Sequence, residues 1–274
     1  MKVYLGVPRG FCAGVVRAVD VVDLALERFG APVYVKHQIV HNPYVVKSLE
    51  DKGAITVEDI DDIPRGSTVV FSAHGSPPED FAKAEARQLH VIDATCPLVT
   101  KVHNEAHRYA KEDRSLVLIG HRGHQEVRGT MGHRDMHLMD DRNELDLPDW
   151  DTNVPVAVLT QTTLSVDDTQ RAIDTIKRRF PNVVVRNDLC YATTNRQTAV
   201  KELCRWVDLV LIIGAPNSSN CNRLREVAQA HGASAHLING PEELDWRWLN
   251  GVENVGITSG ASTPEALVTS VIEA

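Results

Sequence analysis

Ile92-Asp93-Ala94-Thr95-Cys96-Pro97 reads as the end of a short apolar strand, a loop carrying a single cysteine and the entry to a helix. Two other stretches have the same layout: Val7-Pro8-Arg9-Gly10-Phe11-Cys12-Ala13-Gly14 and Asn187-Asp188-Leu189-Cys190-Tyr191-Ala192. Three thiolates, from Cys12, Cys96 and Cys190, brought together from three similar units would make a metal site with one position left open. A metal needs that arrangement if it is to touch a substrate.

Around the cysteines, runs rich in Val, Ile and Leu alternate with helical patterns along the whole chain: Val69-Val70-Phe71, Leu116-Val117-Leu118-Ile119, Val156-Ala157-Val158-Leu159, Leu209-Val210-Leu211-Ile212-Ile213 and Val255-Gly256-Ile257. Such alternation predicts βαβ units and an α/β fold with mostly parallel sheets. Apolar residues at three-to-four spacing predict helices over 13–29, 98–112, 166–179, 192–205 and 220–231.

Polar motifs recur beyond each cysteine. His41-Asn42-Pro43, Gly123-His124-Gln125-Glu126 and Asn217-Ser218-Ser219-Asn220 come first, with His41, His124 and Ser218 following their cysteines by 29, 28 and 28 residues. A further set comprises Ser72-Ala73-His74-Gly75, Thr160-Gln161-Thr162-Thr163 and Ser259-Gly260-Ala261-Ser262, where His74, Thr162 and Ser262 follow by 62, 66 and 72 residues. Order and period predict three copies of one α/β unit of roughly 90 residues, long for a stacked solenoid repeat. The copies run over 13–96, 97–190 and 191–274, the third completed by the segment 1–12 with its strand 2–8. Ligands of open α/β sheets bind beyond the carboxyl ends of the strands, where these motifs lie, so three converging units would enclose one polar pocket.

The chain has 274 residues, 43% of them apolar, enough to fill a real core. Its net charge of -8 argues against nucleic acid, which is held chiefly by a Lys/Arg surplus. No apolar run approaches the roughly 18 residues of a membrane span, and no signal segment opens the chain, so a cytoplasmic protein is expected. In a reducing compartment five cysteines read as metal ligands, catalytic thiols or core fillers rather than as a disulfide framework.

The bland alternative for Cys12, Cys96 and Cys190 is three buried thiols, but matched placement in three repeats favours a cluster. With no CxxC available, three distant ligands suit a 4Fe-4S cube whose fourth iron is free of protein. Cys204 reads as core, and Cys221, beside a polar motif, as core or a fourth ligand. His41, His74, His124, Thr162, Thr163, Ser218, Ser219, Asn220 and Ser262 offer hydrogen bonds with few fixed charges, which fits an anion held at helix N-termini. Asn217-Ser218-Ser219-Asn220 is also a plain helix cap, and both uses are compatible. Glu126 is the only carboxylate within these two sets of polar motifs. In an anion pocket it is costly unless protonated, which makes it the natural general acid; a solvated glutamate paired with Arg128 is the competing reading.

These motifs, with Cys190-Tyr191-Ala192-Thr193-Thr194-Asn195-Arg196-Gln197, resemble those of the 4-hydroxy-3-methylbut-2-enyl diphosphate reductase family from Leu5 to about Leu267. The resemblance implies three α/β domains in a pseudo-threefold trefoil around a central 4Fe-4S cluster held by Cys12, Cys96 and Cys190. The substrate's allylic hydroxyl would bind the open iron, and two electrons and two protons would release water, isopentenyl diphosphate and dimethylallyl diphosphate. His41, His74, Ser218, Asn220 and Ser262 would grip the diphosphate, with Ser219 close by and His124 on either the diphosphate or the proton relay. Glu126, oriented by Thr162 or Thr163, would protonate the leaving hydroxide. No flavin or nicotinamide motif is present, so electrons would come from an external donor of the ferredoxin or flavodoxin type.

The chain departs from the family where proline usually stands between the histidine and the glutamate, having Gln125 there and Arg128 after the valine. Both flank the proposed acid, which leaves room for altered backbone, acidity or substrate choice. The alternatives are a non-enzymatic iron-sulfur carrier or redox sensor, which needs four protein ligands, and a reductase of another allylic diphosphate.

Overall fold

The computed structural model describes residues Met1–Ala274. Twelve strands form three sheets, and every pairing is parallel. The opening strand, β1 (Lys2–Leu5), belongs with the last three in the chain. The first sheet holds β2 (Val33–Lys36), β3 (Ala54–Val57), β4 (Thr68–Phe71) and β5 (His90–Asp93) in the order β3-β2-β4-β5. The second holds β6 (Ser115–Ile119), β7 (His137–Met139), β8 (Val156–Thr160) and β9 (Val183–Val185) in the order β7-β6-β8-β9. In the third, β10 (Leu209–Ile213), β11 (Ser234–Ile238) and β12 (Asn254–Ser259) take the order β11-β10-β12-β1.

One topology is thus used three times, and in each sheet the outer strand beyond the third leads into a cysteine. β5 runs toward Cys96, β9 toward Cys190 and β1 toward Cys12. Lys2 lies opposite Asn254 and Leu5 opposite Ile257. The strand expected over 2–8 ends at Leu5; Gly6 N still donates to Ile257 O at 2.8 Å, and the ladder runs out at Pro8, which has no N–H to give.

Parallel strands covered on both faces need apolar side chains on both faces, which explains the unbroken runs at β4, β8 and β10, buried throughout. Their alternate residues sort into separate cores. Leu116 and Leu118 pack with Val102, Ala106 and Tyr109 of α4 (Pro97–Lys111) and Val127 of α5 (Gln125–His133), while Val117 and Ile119 face Ala172, Ile173 and Ile176 of α6 (Val166–Arg179). In the third sheet, Val210 and Ile212 meet Val200 and Leu203 of α7 (Tyr191–Leu203) and Leu224 of α8 (Ser219–Ala230), and Leu209, Leu211 and Ile213 meet Val268 and Val271 of α9 (Glu265–Glu273). Burying each such side chain contributes about 1.5–3 kcal/mol. The remaining helices are α1 (Ala13–Phe29), α2 (Pro43–Glu50) and α3 (Pro78–Ala86).

By packing, the chain divides into two compact units. Met1–Val16, Val40–Lys47 and Cys190–Ala274 form the unit built on the third sheet; Arg17–Ile39 and Ser48–Leu189 form the unit that contains the first and second sheets. No helix is long and apolar enough to cross a membrane.

Candidate functional site

Cys12, Cys96 and Cys190 each sit at the cap of a helix. Val16 N donates to Cys12 O at the start of α1, Thr100 N to Cys96 O at the start of α4 and Thr194 N to Cys190 O at the start of α7, all at 3.0 Å. Peptide dipoles at a helix N-terminus favour negative charge, which suits a metal-bound sulfur. The supports repeat as well. Cys12 N donates to Ala261 O and Cys96 N to Ala73 O, both at 3.0 Å, and the two carbonyls belong to equivalent motif positions. Two residues before the cysteine, Gly10 N donates to Ser259 Oγ at 2.9 Å and Asp188 N to Thr160 Oγ1 at 3.0 Å.

None of the five cysteines forms a disulfide. Cys12, Cys96 and Cys190 are partly exposed, which separates them from the buried-thiol reading, whereas Cys221 is sealed. A Cβ on Gly214 or Gly260 would collide with Cys221 Sγ, so this thiol fills a notch between two stretches of bare backbone. Burial pushes it up from its ordinary pKa. Cys221 is therefore packed as a core residue. Cys204 is half-buried against the same core.

In the unit built on the third sheet, His41, Ser218, Ser219, Asn220 and Ser262 come together. Ser218 Oγ caps α8 by accepting from Cys221 N at 3.3 Å, and Ser219 and Asn220 occupy the first turn. Asn220 Oδ1 accepts from Ala261 N at 3.0 Å, which leaves its buried Nδ2 without a partner. Ser262 Oγ donates to His41 O at 3.1 Å. Three hydroxyls and an amide thus gather at the start of a helix, where the peptide dipoles favour an anion.

His74, His124, Glu126, Thr162 and Thr163 lie in the other unit. His124 caps α5: its Nδ1 accepts from Glu126 N at 3.2 Å, which puts the neutral ring's proton on Nε2. His74 stands edge-on to His124 with ring centroids 6.0 Å apart, its Nδ1 3.3 Å from Ser72 Oγ. A Cβ at Gly129 would come within 2.9 Å of Gly75 O, so glycine lets α5 rest on the turn that carries His74.

Glu126 is 3% exposed, which rules out the solvated reading; Arg128 points to solvent. Thr162 N donates to Glu126 Oε1 at 2.6 Å and Thr162 Oγ1 to Oε2 at 3.0 Å. Burial pushes the carboxyl up to about 7, against these two bonds, which favour the anion; buried Asp188 adds to the rise. Of the two threonines it is Thr162 that holds the acid. Thr163 Oγ1 instead accepts from Gln161 Nε2 at 2.9 Å, and Gln161 Oε1 accepts from His121 N at 3.0 Å, bracing the loop before α5. Gln125, where the proline is missing, still opens α5, and its side-chain amide lies 3.4 Å from His37 Nδ1.

Three contributors escaped the sequence reading. Gln161 braces the acid's loop, Asp188 couples to Glu126 while paired with Lys101 at 2.9 Å, and Arg196 lies buried beside Cys12 and Cys190. All three stood inside or beside quoted motifs, but only packing shows what they face.

The family model described as LytB protein matches residues 3–274. The 4-hydroxy-3-methylbut-2-enyl diphosphate reductase of Zymomonas mobilis is 51% identical over 278 residues, covering all of this chain and 82% of its own length. The protein named 4-hydroxy-3-methylbut-2-enyl diphosphate reductase 2 of Bradyrhizobium diazoefficiens is 52% identical, covering all of this chain and 90% of its own. Among solved structures, E-1-hydroxy-2-methyl-but-2-enyl-4-diphosphate reductase from Plasmodium falciparum is 40% identical with a TM-score of 0.95 over 99% of this chain and 87% of that one. A second, described as (E)-4-hydroxy-3-methyl-but-2-enyl diphosphate reductase, the terminal enzyme of the non-mevalonate pathway, is 32% identical with a TM-score of 0.69 over 100% of this chain and 98% of that one.

Proposed function

The chain belongs to the LytB family, and we propose that its capping cysteines, Cys12, Cys96 and Cys190, hold one 4Fe-4S cluster with an iron left open to substrate. The reaction is that of its relatives: reductive dehydroxylation of 4-hydroxy-3-methylbut-2-enyl diphosphate, the terminal step of the non-mevalonate route, to isopentenyl and dimethylallyl diphosphate. The observation that carries the cysteine assignment is their identical station, at the helix cap beyond the outer strand of each of three like sheets. The three sheets would be the three repeats, 13–96, 97–190 and 191–274 with 1–12.

The donor set fits such a group. Thiolates are the ligands that iron-sulfur clusters take, three partly exposed ones stand on equivalent caps, and the sealed Cys221 argues against a closed four-cysteine carrier site. When bound, the cluster supplies single electrons and Lewis acidity, which side chains cannot.

The rest of the chemistry falls to the chain's own residues. Ser218, Ser219, Asn220 and Ser262 would receive the diphosphate at the start of α8, with Asn220 Nδ2 donating, His41 and His74 sharing the charge, and His124 donating from Nε2. Glu126 is the proposed general acid. Its Oε1 is committed to accepting from Thr162 N, so the acidic proton belongs on Oε2, where Thr162 Oγ1 can pass it on or hold it. Delivery to the departing hydroxyl turns a poor leaving group into water. A pKa of about 7 keeps a useful fraction protonated at neutral pH.

Electrons would come from an external ferredoxin- or flavodoxin-type donor. Five cysteines without a disulfide suit a reducing cytoplasm. Anaerobic metal and sulfide analysis, with turnover of the diphosphate under a strong low-potential reductant, tests the assignment. About four irons per chain and reductant-dependent product are expected; zinc in place of iron, or no turnover by loaded protein, would overturn it.

A further inference from the structure

Arg196 is 3% exposed, and no carboxylate pairs with it. From α7 its Nη1 donates to Ala192 O at 3.0 Å, its Nη2 donates to Gly10 O at 2.6 Å, and its Nε is buried without a partner. Both carbonyls lie two residues from a capping cysteine, Gly10 from Cys12 and Ala192 from Cys190. All of these lie in the unit built on the third sheet.

Taking a guanidinium out of water with two carbonyls and no counter-charge is costly, and such groups are normally paired. Cys221 is sealed in the core, so the groups able to carry the compensating negative charge are Cys12 and Cys190. Cluster-bound, these two sulfurs would supply the negative charge that the buried guanidinium otherwise lacks. Gly10, in the left-handed region at φ +74°, is gripped from both sides, its N–H by Ser259 Oγ at 2.9 Å and its carbonyl by Arg196. Cys12 follows two residues later.

We propose that Arg196 is a positioning residue for the iron-sulfur site, fixing the Cys12 loop through Gly10 and placing a permanent positive charge beside the cluster-bound sulfurs of Cys12 and Cys190. This rests on the cysteine assignment above. Positive charge near a cluster stabilises its more negative, reduced state, so Arg196 raises the reduction potential and slows loss of iron.

The test uses anaerobic, cluster-loaded wild type, Arg196→Met and Arg196→Lys. Midpoint potential is read by EPR-monitored titration, iron loss by a ferrous chelator, and thermal stability with and without the cluster. Arg196→Met is expected to shift the potential negative and lose iron several-fold faster. Its cluster-free form should melt no lower than cluster-free wild type, because the unbalanced charge is gone, so the gain in melting temperature on loading shrinks. Arg196→Lys, which keeps the charge but not the fork, should retain a potential near wild type while losing iron faster. Wild-type potential and iron retention in Arg196→Met would overturn the inference, as would a lysine variant whose potential falls as far as the methionine one. If Arg196→Met does not fold, neutral Arg196→Gln, able to donate one bond to Gly10, carries the same comparison. A wild type that takes up no iron defeats the cysteine assignment itself, whereas a loaded wild type indifferent to Arg196 defeats this inference alone.

Discussion

Thr162 engages both oxygens of Glu126, its N–H on Oε1 at 2.6 Å and its hydroxyl on Oε2 at 3.0 Å. A carboxyl held this way inside the protein cannot swing out to water when it ionises, so its protonation state should be written directly into turnover. With burial pushing it up to about 7, the rate should be flat below neutrality and fall tenfold per pH unit above it. Glu126→Gln should lose about 10²–10⁴-fold in kcat, remove that limb, and leave iron content unchanged. A variant that turns over as fast as wild type at pH 7 would end the assignment of Glu126 as the acid.

The two threonines can be told apart by the same profile. Thr162→Val deletes a hydrogen bond that favours the carboxylate, so the acid becomes weaker and the limb moves to higher pH, with kcat lowered by the loss of the hydroxyl on Oε2. Thr163→Val removes the hydroxyl that accepts from Gln161 Nε2, not a bond to Glu126, and should leave the limb in place. Equal displacement in both would contradict the geometry.

Burial of Glu126 also has a cost in stability, with a definite sign. Its folded pKa is raised from 4.5 to about 7. Below pH 4.5 both folded and unfolded chains keep the proton and nothing is lost. Between the two values only the unfolded chain ionises, so stability declines as pH rises, and above 7 the full penalty of about 3 kcal/mol persists. Glu126→Gln should therefore gain on wild type as pH goes from 5.5 to 8, measured as melting temperatures of both proteins in the same cluster state. A difference that does not change with pH would show that the carboxyl titrates near its ordinary value.

The repeat, the parallel sheets and the three cysteines were legible because they depend on local pattern: apolar runs for strands buried on both faces, and a cysteine at each turn into a helix. What stayed hidden depends on contacts distant in sequence. Thr162 meets Glu126 across 36 residues and Arg196 meets Gly10 across 186. The repeat put Thr162 and Thr163 side by side, and only the turn after β8 and the packing of α5 decide which faces the acid. Cys221 was ambiguous for the same reason, since a thiol in the first turn of a helix gives no sign that Gly214 and Gly260 close over it.

Asn220 separates capping from anion binding. Its Oδ1 is occupied by Ala261 N at 3.0 Å, while Nδ2 is buried and unpartnered. Asn220→Asp preserves the first contact and replaces the donor with a second oxygen. A purely structural role would show the change as a burial cost alone, a lower melting temperature with KM unmoved. A diphosphate contact would also meet an acceptor, and at neutral pH a like charge, so KM should rise more than tenfold at temperatures where the variant remains folded. An unchanged KM would remove Asn220 from the binding set.

Cysteine substitutions test the distinction between exposed caps and the sealed notch. Cys12→Ser, Cys96→Ser and Cys190→Ser each exchange a soft ligand for a hard hydroxyl on a partly exposed cap, so iron content should collapse while the fold, whose cores these residues do not fill, persists. Cys221→Ala should behave in the opposite way. It empties the space between Gly214 and Gly260 at a cost of about 1 kcal/mol, and iron content should match wild type. Iron lost on Cys221→Ala at undiminished stability would make that thiol a fourth ligand. The open position on which turnover depends would then vanish, because a cluster held by four protein sulfurs offers the substrate hydroxyl no iron to meet.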